Sequence, residues 1–357
     1  MSDDLAWIDA GRSFGFDDLV FWHGKGTQPF AAVAAQIDTV VFGPHASAAF
    51  PAELRPFTAT GLTRRQQFDY SDVITSAVGR AWVQADPHVA YVENPHSRLV
   101  LDPNRAPVAD AGPGLRQFFA TLARQRAGEK VSFAGMDTVR PITFSGQPVL
   151  REPGTEAEWS ALIAALNDCA ARGPNTYAAV RDALVEQVLA ARPADARVLL
   201  LSLHDTMNTQ ILPDGAITRE RPLADRLPLL ANFGNRGDLA GDGPLEEITV
   251  AGAEMRRIAD AYARAWDIAD SARNAAILLN SPYKGAFETV HWGTKLRALG
   301  RADLGMVQVE FLRETLLGPR VTAALHQPGT DWPSVDMPHL RETVARLKRA
   351  GDLLRAG

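Results

Sequence analysis

The chain has 357 residues, of which 46% are hydrophobic and 22% charged, an ordinary globular composition long enough for one large α/β domain or two smaller ones. Its net charge of −5 is spread without a basic stripe, which argues against a nucleic-acid partner. The single cysteine, Cys169, excludes an internal disulfide framework and a multi-cysteine zinc site, and its amphipathic surroundings predict a packed helix thiol.

The N-terminal stretch MSDDLAWIDAGRSF is acidic and lacks the charged-then-apolar pattern of a signal segment. No apolar run approaches the ~20 residues of a membrane span, so a cytoplasmic protein without membrane contact is expected. Thr39 to Phe42 form an apolar, β-branched run that breaks at Gly43-Pro44, which predicts a buried strand ending in a loop that begins with His45. Val73, Ile74, Ala77, Val78 and Ala81 fall at helical spacing, with Ser71 or Asp72 as the cap. Two strand-like runs flank Asn94-Pro95, the second leading into VLDPNRAP at residues 100–107.

Residues 108–155 are irregular, with a helix within LRQFFATLARQRAG and a turn at FSGQP. Residues 156–192 read as a helical pair split at RGPN. Val198 to Leu203 are apolar except for Ser202 and then meet His204, the pattern of a parallel strand buried on both faces. LEEITVAGAEMRRIADAYARAW passes from strand or loop into helix, and AAILLNSPYKG repeats the strand-then-polar-loop pattern. In LGMVQVEFLRETLL, Gln308 and Glu310 alternate with Val307, Val309 and Phe311. Strands alternating with helices predict an α/β fold with a mostly parallel sheet covered on both faces. Ligands bind at the C-terminal strand edge of such sheets.

His45 and His204 each end a buried strand. Paired imidazoles with one carboxylate meet the needs of a catalytic zinc, which keeps a position open for water. The plainer reading is two hydrogen-bonded structural histidines. His23, His88, His96, His326 and His339 are expected to be structural, as is His291, although it follows a glycine-bearing loop and is within reach of a site. A half-buried Glu310 suits general acid/base work; the alternatives are an edge-strand surface residue or a partner for Arg313. Arg98, Asn104, Arg105 and Arg236 offer groups that match a carboxylate, or else ordinary surface ion pairs. GNRGD lacks the spacing of a phosphate loop, and there is no Gly-x-Ser-x-Gly elbow.

In this order, GPHASAAFP, SRLVLDPNRAP, RPITFSGQPVLREPGTEAE, LLLSLHDTMN, FGNRGD, LNSPYKGAF and VQVEFLRETLL resemble the N-formylglutamate amidohydrolase family along most of the chain. That family is related to zinc carboxypeptidases. The resemblance implies one α/β domain over residues 1–357, a mixed, mainly parallel sheet between helices of the zinc-carboxypeptidase-like (phosphorylase/hydrolase-like) kind, with an irregular insertion around 106–138 and extra residues at both termini. It implies Zn2+ on His45, His204 and a carboxylate. The carboxypeptidase glutamate position is Ala48 here, so Asp72, or else Asp69, is expected to take that place. Glu310 is then the general base, and Arg98 or Arg236 steadies the developing oxyanion. Asn104, Arg105, Tyr283 and Asn280 hold a small carboxylate-bearing substrate, with Asp102 orienting the arginines.

The departures are Ala46-Ser47 for the family's Ser-Gly, Asp205 for its serine, and Tyr177 without the histidine that follows it in the family. They leave the substrate open: an N-formyl or N-acyl amino acid, another small or cyclic amide, or a carboxylate bound without catalysis. The oligomeric state is not readable from the sequence.

Overall fold

The computed structural model describes residues 5–300 and 304–356; Met1–Asp4, part of the acidic N-terminal stretch, lie outside them. The central sheet is built from β1 (Val20–Trp22), β2 (Thr39–Gly43), β3 (Val89–Glu93) and β4 (Val198–Thr206), followed beyond a hairpin by further strands. That hairpin is β5 (Thr209–Ile211) and β6 (Ile217–Glu220). β7 (Ala231–Gly234), β8 (Ile277–Leu279) and β9 (Leu304–Leu312) complete the sheet, in the order β8-β7-β9-β4-β2-β3-β1. β2 pairs parallel with β3 and β4, β4 with β9, and β7 with β8. β1 against β3 and β7 against β9 are antiparallel. The mixed, mainly parallel sheet expected from the sequence is therefore present.

Alternate residues of each strand point to opposite faces. Val41, Leu199, Leu201, Val307 and Val309 face one layer, with Ile74, Val78 and Trp82 of α1 (Val73–Ala85). Val40, Phe42, Leu200 and Met306 face the other, with Tyr177, Leu184 and Val188 packed on them. A third apolar cluster lies under Leu99–Leu101 and joins α2 (Gly112–Arg126) to α3 (Glu156–Arg172). Cys169 is buried inside α3, and burial pushes its thiol up to about 12, as fits a packed thiol. The helices α4 (Pro174–Ala191), α5 (Gly252–Ala265), α6 (Phe287–Ala298), α7 (Arg313–Leu325) and α8 (Met337–Ala356) complete the layers. Among the described residues no helix is long and apolar enough to cross a membrane.

One sequence expectation changes, and the two alternatives for Glu310 are excluded. The run after Asn94-Pro95 is not a strand. Val100 N–H donates to the Ser97 carbonyl at 3.1 Å, and Arg98 reaches Asp102 four residues on, so the segment folds back on itself. Its apolar residues are buried in the third cluster without a ladder partner. β9 is not an edge strand either: it lies between β4 and β7, and Glu310 is only 7% exposed. Arg313 does not pair with it but binds Asp205 and Asp69.

His96 is structural, as expected, and fully buried, and neither ring nitrogen has a hydrogen-bond partner. A side chain at Gly173, the junction of α3 and α4, would strike this ring. Burial, with the Arg172 charge, lowers its pKa to about 4. The unfolded chain takes up this proton near pH 6.5 and the folded chain only near 4, so the contribution to stability falls as pH drops through that window. His96→Leu should remove this dependence. Urea titrations from pH 7.5 to 4 should show the native chain losing ~3 kcal/mol relative to the variant. Parallel curves would refute the assignment.

Candidate active site

β4 and β9 run side by side in register, with Ser202 beside Gln308 and His204 beside Glu310. On one face of each strand the apolar residues give way to polar ones toward the C-terminal end: Leu200 to Ser202 and His204, and Met306 to Gln308 and Glu310. The β2 edge supplies His45, whose loop is pinned by Asn94 N–H to the Gly43 carbonyl and Asn94 Nδ2 to the Pro44 carbonyl, each at 3.0 Å. Asp72 comes from the N-terminal end of α1, the helix packed on the opposite face of the sheet. It occupies the cap position of α1, as expected, but its side chain makes no capping bond. Its backbone N–H donates to the His45 carbonyl at 2.9 Å, and its carboxylate turns to the histidines.

Asp72 Oδ2 lies 3.3 Å from His45 Nδ1 and 3.0 Å from His204 Nδ1. One donor atom from each of these residues falls within a 4.8 Å group, and all three residues are buried. The opposite ring nitrogens are engaged elsewhere. His45 Nε2 donates to Asp102 Oδ1 at 2.7 Å, while Arg98 Nη1 approaches Nδ1 at 3.4 Å and calls for a lone pair there. Ser202 Oγ lies 2.9 Å from His204 Nε2 and donates to Glu288 Oε2 at 3.0 Å. A hydroxyl that spends its proton on Glu288 can accept from His204 Nε2, the tautomer that leaves a lone pair on Nδ1, although Asn104 Nδ2 also approaches Nε2 at 3.3 Å. Outer acceptors of this kind orient metal-bound histidines. The donor set of two imidazole nitrogens and one carboxylate oxygen fits a divalent cation such as zinc.

Burial and the Arg98 charge press the His45 pKa down, yet Asp102 and Asp72 outweigh them and leave it above its ordinary value. Asp72, despite burial, is held well below the carboxylate range by His204 and His45. Asp69 is turned away toward Arg313, 3.4 Å from its Nη1, and burial raises its pKa. Burial, with the Asp72 charge, raises Glu310, against the pull of His204. Glu310 accepts from Thr206 Oγ1 at 2.7 Å and from Gln308 Nε2 at 3.3 Å.

These groups line a cavity of about 200 Å3 together with Asp69, Arg98, Asn104, Arg105, Arg221, Tyr283 and Arg313. A larger groove, about 1150 Å3, runs past Leu62, Phe68 and Trp332, away from this cluster. Asn104 reaches the site with Nδ2 3.3 Å from His204 Nε2, and its Oδ1 accepts from Glu288 N–H at 3.1 Å. Asn232 holds the Tyr283 segment, donating to the Tyr283 carbonyl at 2.7 Å and accepting from Ser281 N–H at 2.9 Å.

Other candidates fall elsewhere. Arg236 is exposed, with φ 71°, and donates to the Gly285 carbonyl at 2.9 Å outside the cavity. Asn280 is buried, but it is tied to Asn235 at 2.8 Å and to the Asp238 carbonyl at 2.7 Å. His291 binds Asp182 at 3.2 Å and does not line the cavity. Asp102 does orient Arg98, at 2.5 Å, but it also holds His45.

Ser202, Gln308, Thr206, Glu288 and Arg221 were not singled out from sequence. Ser202 and Gln308 were readable, since each stands two residues before a chosen side chain on the same strand face. Arg221 follows a hairpin marked by Asp214-Gly215. Glu288 has no local signal: it reaches Ser202 from the first turn of α6 and is held by Tyr177 Oη at 2.8 Å and Arg181 Nη1 at 2.7 Å.

Among curated proteins none matches this chain. Solved structures similar to it include these two. One is an N-formylglutamate amidohydrolase from Ralstonia eutropha JMP134, with 16% identity, TM-score 0.49, and coverage of 90% of this chain and 95% of that one. The other is a gene product of Agrobacterium tumefaciens, with 16% identity, TM-score 0.50, and coverage of 91% and 93%. The family description N-formylglutamate amidohydrolase matches residues 37–317, most of the chain and all of the strands and loops that build the cavity, and the chain belongs to that family.

Proposed function

We propose that the chain is a zinc-dependent amidohydrolase that cleaves the amide of an N-formyl or N-acyl amino acid. The observation that carries this is the meeting of His45 Nδ1, His204 Nδ1 and Asp72 Oδ2 beside the buried Glu310. His45, His204 and Asp72 would hold the metal. When bound, zinc lowers the pKa of a coordinated water and polarises the amide carbonyl. Asp102 and Ser202 fix the imidazoles so that Nδ1 faces inward. Glu310, with its pKa raised by burial, accepts the proton of the attacking water and delivers it to the departing nitrogen. Arg98, buried beside His45, steadies charge growing on the carbonyl oxygen. Asn104 and Tyr283 border the substrate.

Purified protein should contain about one zinc per chain by elemental analysis. It should also release free amine from some member of a panel of N-formyl and N-acyl amino acids, and lose that activity on chelation. Full turnover in metal-stripped protein would refute the metal. Carboxylate binding with neither turnover nor tightly held metal would refute the enzyme. Turnover confined to cyclic amides or dipeptides would move the reading to another amide class.

A further inference from the structure

The cavity wall carries Arg98, Arg105, Arg221 and Arg313. Three of these are already committed. Arg98 binds Asp102 at 2.5 Å. Arg105 donates to Asp137 Oδ2 through Nε at 3.0 Å and Nη2 at 2.8 Å, and its Nη1 goes to the Asn104 carbonyl at 3.1 Å. Arg313 lies against Asp205, Asp69 and the Ser71 carbonyl.

Arg221 differs. Its Nη2 donates to Tyr283 Oη at 3.3 Å, and no carboxylate among the described residues forms an ion pair with it. It is half-buried just past β6, and its backbone is fixed on both sides: its N–H donates to the Asn208 carbonyl at 2.9 Å, and its own carbonyl accepts from Arg226 Nε at 2.7 Å. A guanidinium held in place by a neutral phenol, with no carboxylate of the described residues within ion-pair distance, is suited to take a carboxylate from a ligand.

We infer that Arg221, with Tyr283 beside it, reads the carboxylate of the substrate, and that the site takes one such carboxylate, not two. The inference rests on the amidohydrolase reading for what the substrate is. The acidic groups on the wall are Asp69, Asp72 and Glu310, and the imidazoles of His45 and His204 are taken up by Asp72. A second carboxylate would meet these acids with no uncommitted arginine to answer it, and desolvating it unpaired is costly. A cavity of about 200 Å3 suits a substrate the size of one acylated amino acid. The favoured class is therefore an N-formyl or N-acyl amino acid with an uncharged side chain.

The test separates binding from turnover. Purified protein is titrated by calorimetry with glutarate and with its monoamide, glutaramate. Glutaramate should bind, glutarate should bind no tighter, and Arg221→Ala should weaken glutaramate by roughly tenfold or more. Arg221→Lys, which keeps the charge without the fork, should fall between the two and serves if the alanine variant does not fold. An unchanged Kd in either variant, tenfold tighter binding of glutarate, or binding of neither probe overturns the inference. Formate release from N-formyl-L-glutamine and N-formyl-L-glutamate is measured in parallel. The expected binding pattern with no release from these two or from any member of the N-formyl and N-acyl panel upholds the Arg221 assignment and sinks the amidohydrolase reading alone.

Discussion

Glu310→Gln should lower turnover by about a thousandfold or more while zinc content and substrate KM stay near their native values. The change is nearly isosteric. A glutamine there still accepts from Thr206 Oγ1, which donates to Glu310 Oε1 at 2.7 Å in the native chain. What it loses is the ability to take a proton. Glu310 is the carboxylate on the cavity wall best suited to that role. Asp72 is engaged by both histidines and Asp69 by Arg313, whereas Glu310 has only the neutral donors Thr206 and Gln308. Burial raises its affinity for a proton, so it can hold one between the attacking water and the departing amine. Because Glu310 is not one of the grouped His45, Asp72 and His204, the metal should remain. Metal content by elemental analysis and steady-state rates on one preparation decide the point. Native activity in the variant removes Glu310 from the chemistry, and loss of metal along with rate makes its role structural.

The parts of this site legible from sequence are those that lie on strands or just past their C-terminal ends. His45, His204 and Glu310 each follow or interrupt an apolar run. The parallel sheet then carries such positions to one edge, so strand pattern alone brought them near each other. Residues whose position depends on a distant segment were read less well. Arg105 looked like a carboxylate clamp because Asp137, which occupies its fork, lies 32 residues away in a stretch without periodic pattern. The sequence around Arg221 gives no sign of its role, because nothing local shows that a cation lacks a partner. Arg236 and Asn280 belong to loops that close on each other's backbone, a matter of left-handed φ values of 71° and 54° that sequence spacing does not reveal. Leu99–Leu101 read as a strand because burial of three consecutive apolar residues mimics one, although the Arg98–Asp102 ion pair curls the segment into a turn. Asp72 enters the ligand set only through the family resemblance. Its local context, one residue ahead of a helix, pointed to capping instead.

Asp72→Asn should cut zinc affinity by at least about a hundredfold and abolish turnover at ordinary zinc levels, whereas Asp102→Asn should cost roughly ten- to a hundredfold. The comparison is informative because His45 meets a carboxylate at each ring nitrogen: Asp72 at Nδ1 and Asp102 at Nε2. Only one of these nitrogens can face the metal. The structure favours Nδ1, since that side also holds His204 Nδ1, 3.0 Å from the same Asp72 oxygen, while Asp102 is occupied by Arg98 and by the Asn104 backbone at 2.9 Å. On the proposed reading Asp72 is therefore the metal ligand and Asp102 the partner of the imidazole behind it. Asn at position 72 keeps the shape and one oxygen but forfeits the charge that balances a dication, so the loss should appear in affinity more than in folding. Asn at position 102 still offers His45 an acceptor, so the imidazole stays oriented and only its basicity falls. Competition for zinc against a chelating dye, run on both variants beside the native chain, ranks the two. If Asp102→Asn proves the more damaging, the metal sits on the Nε2 side and the ligand set must be rebuilt around Asp102.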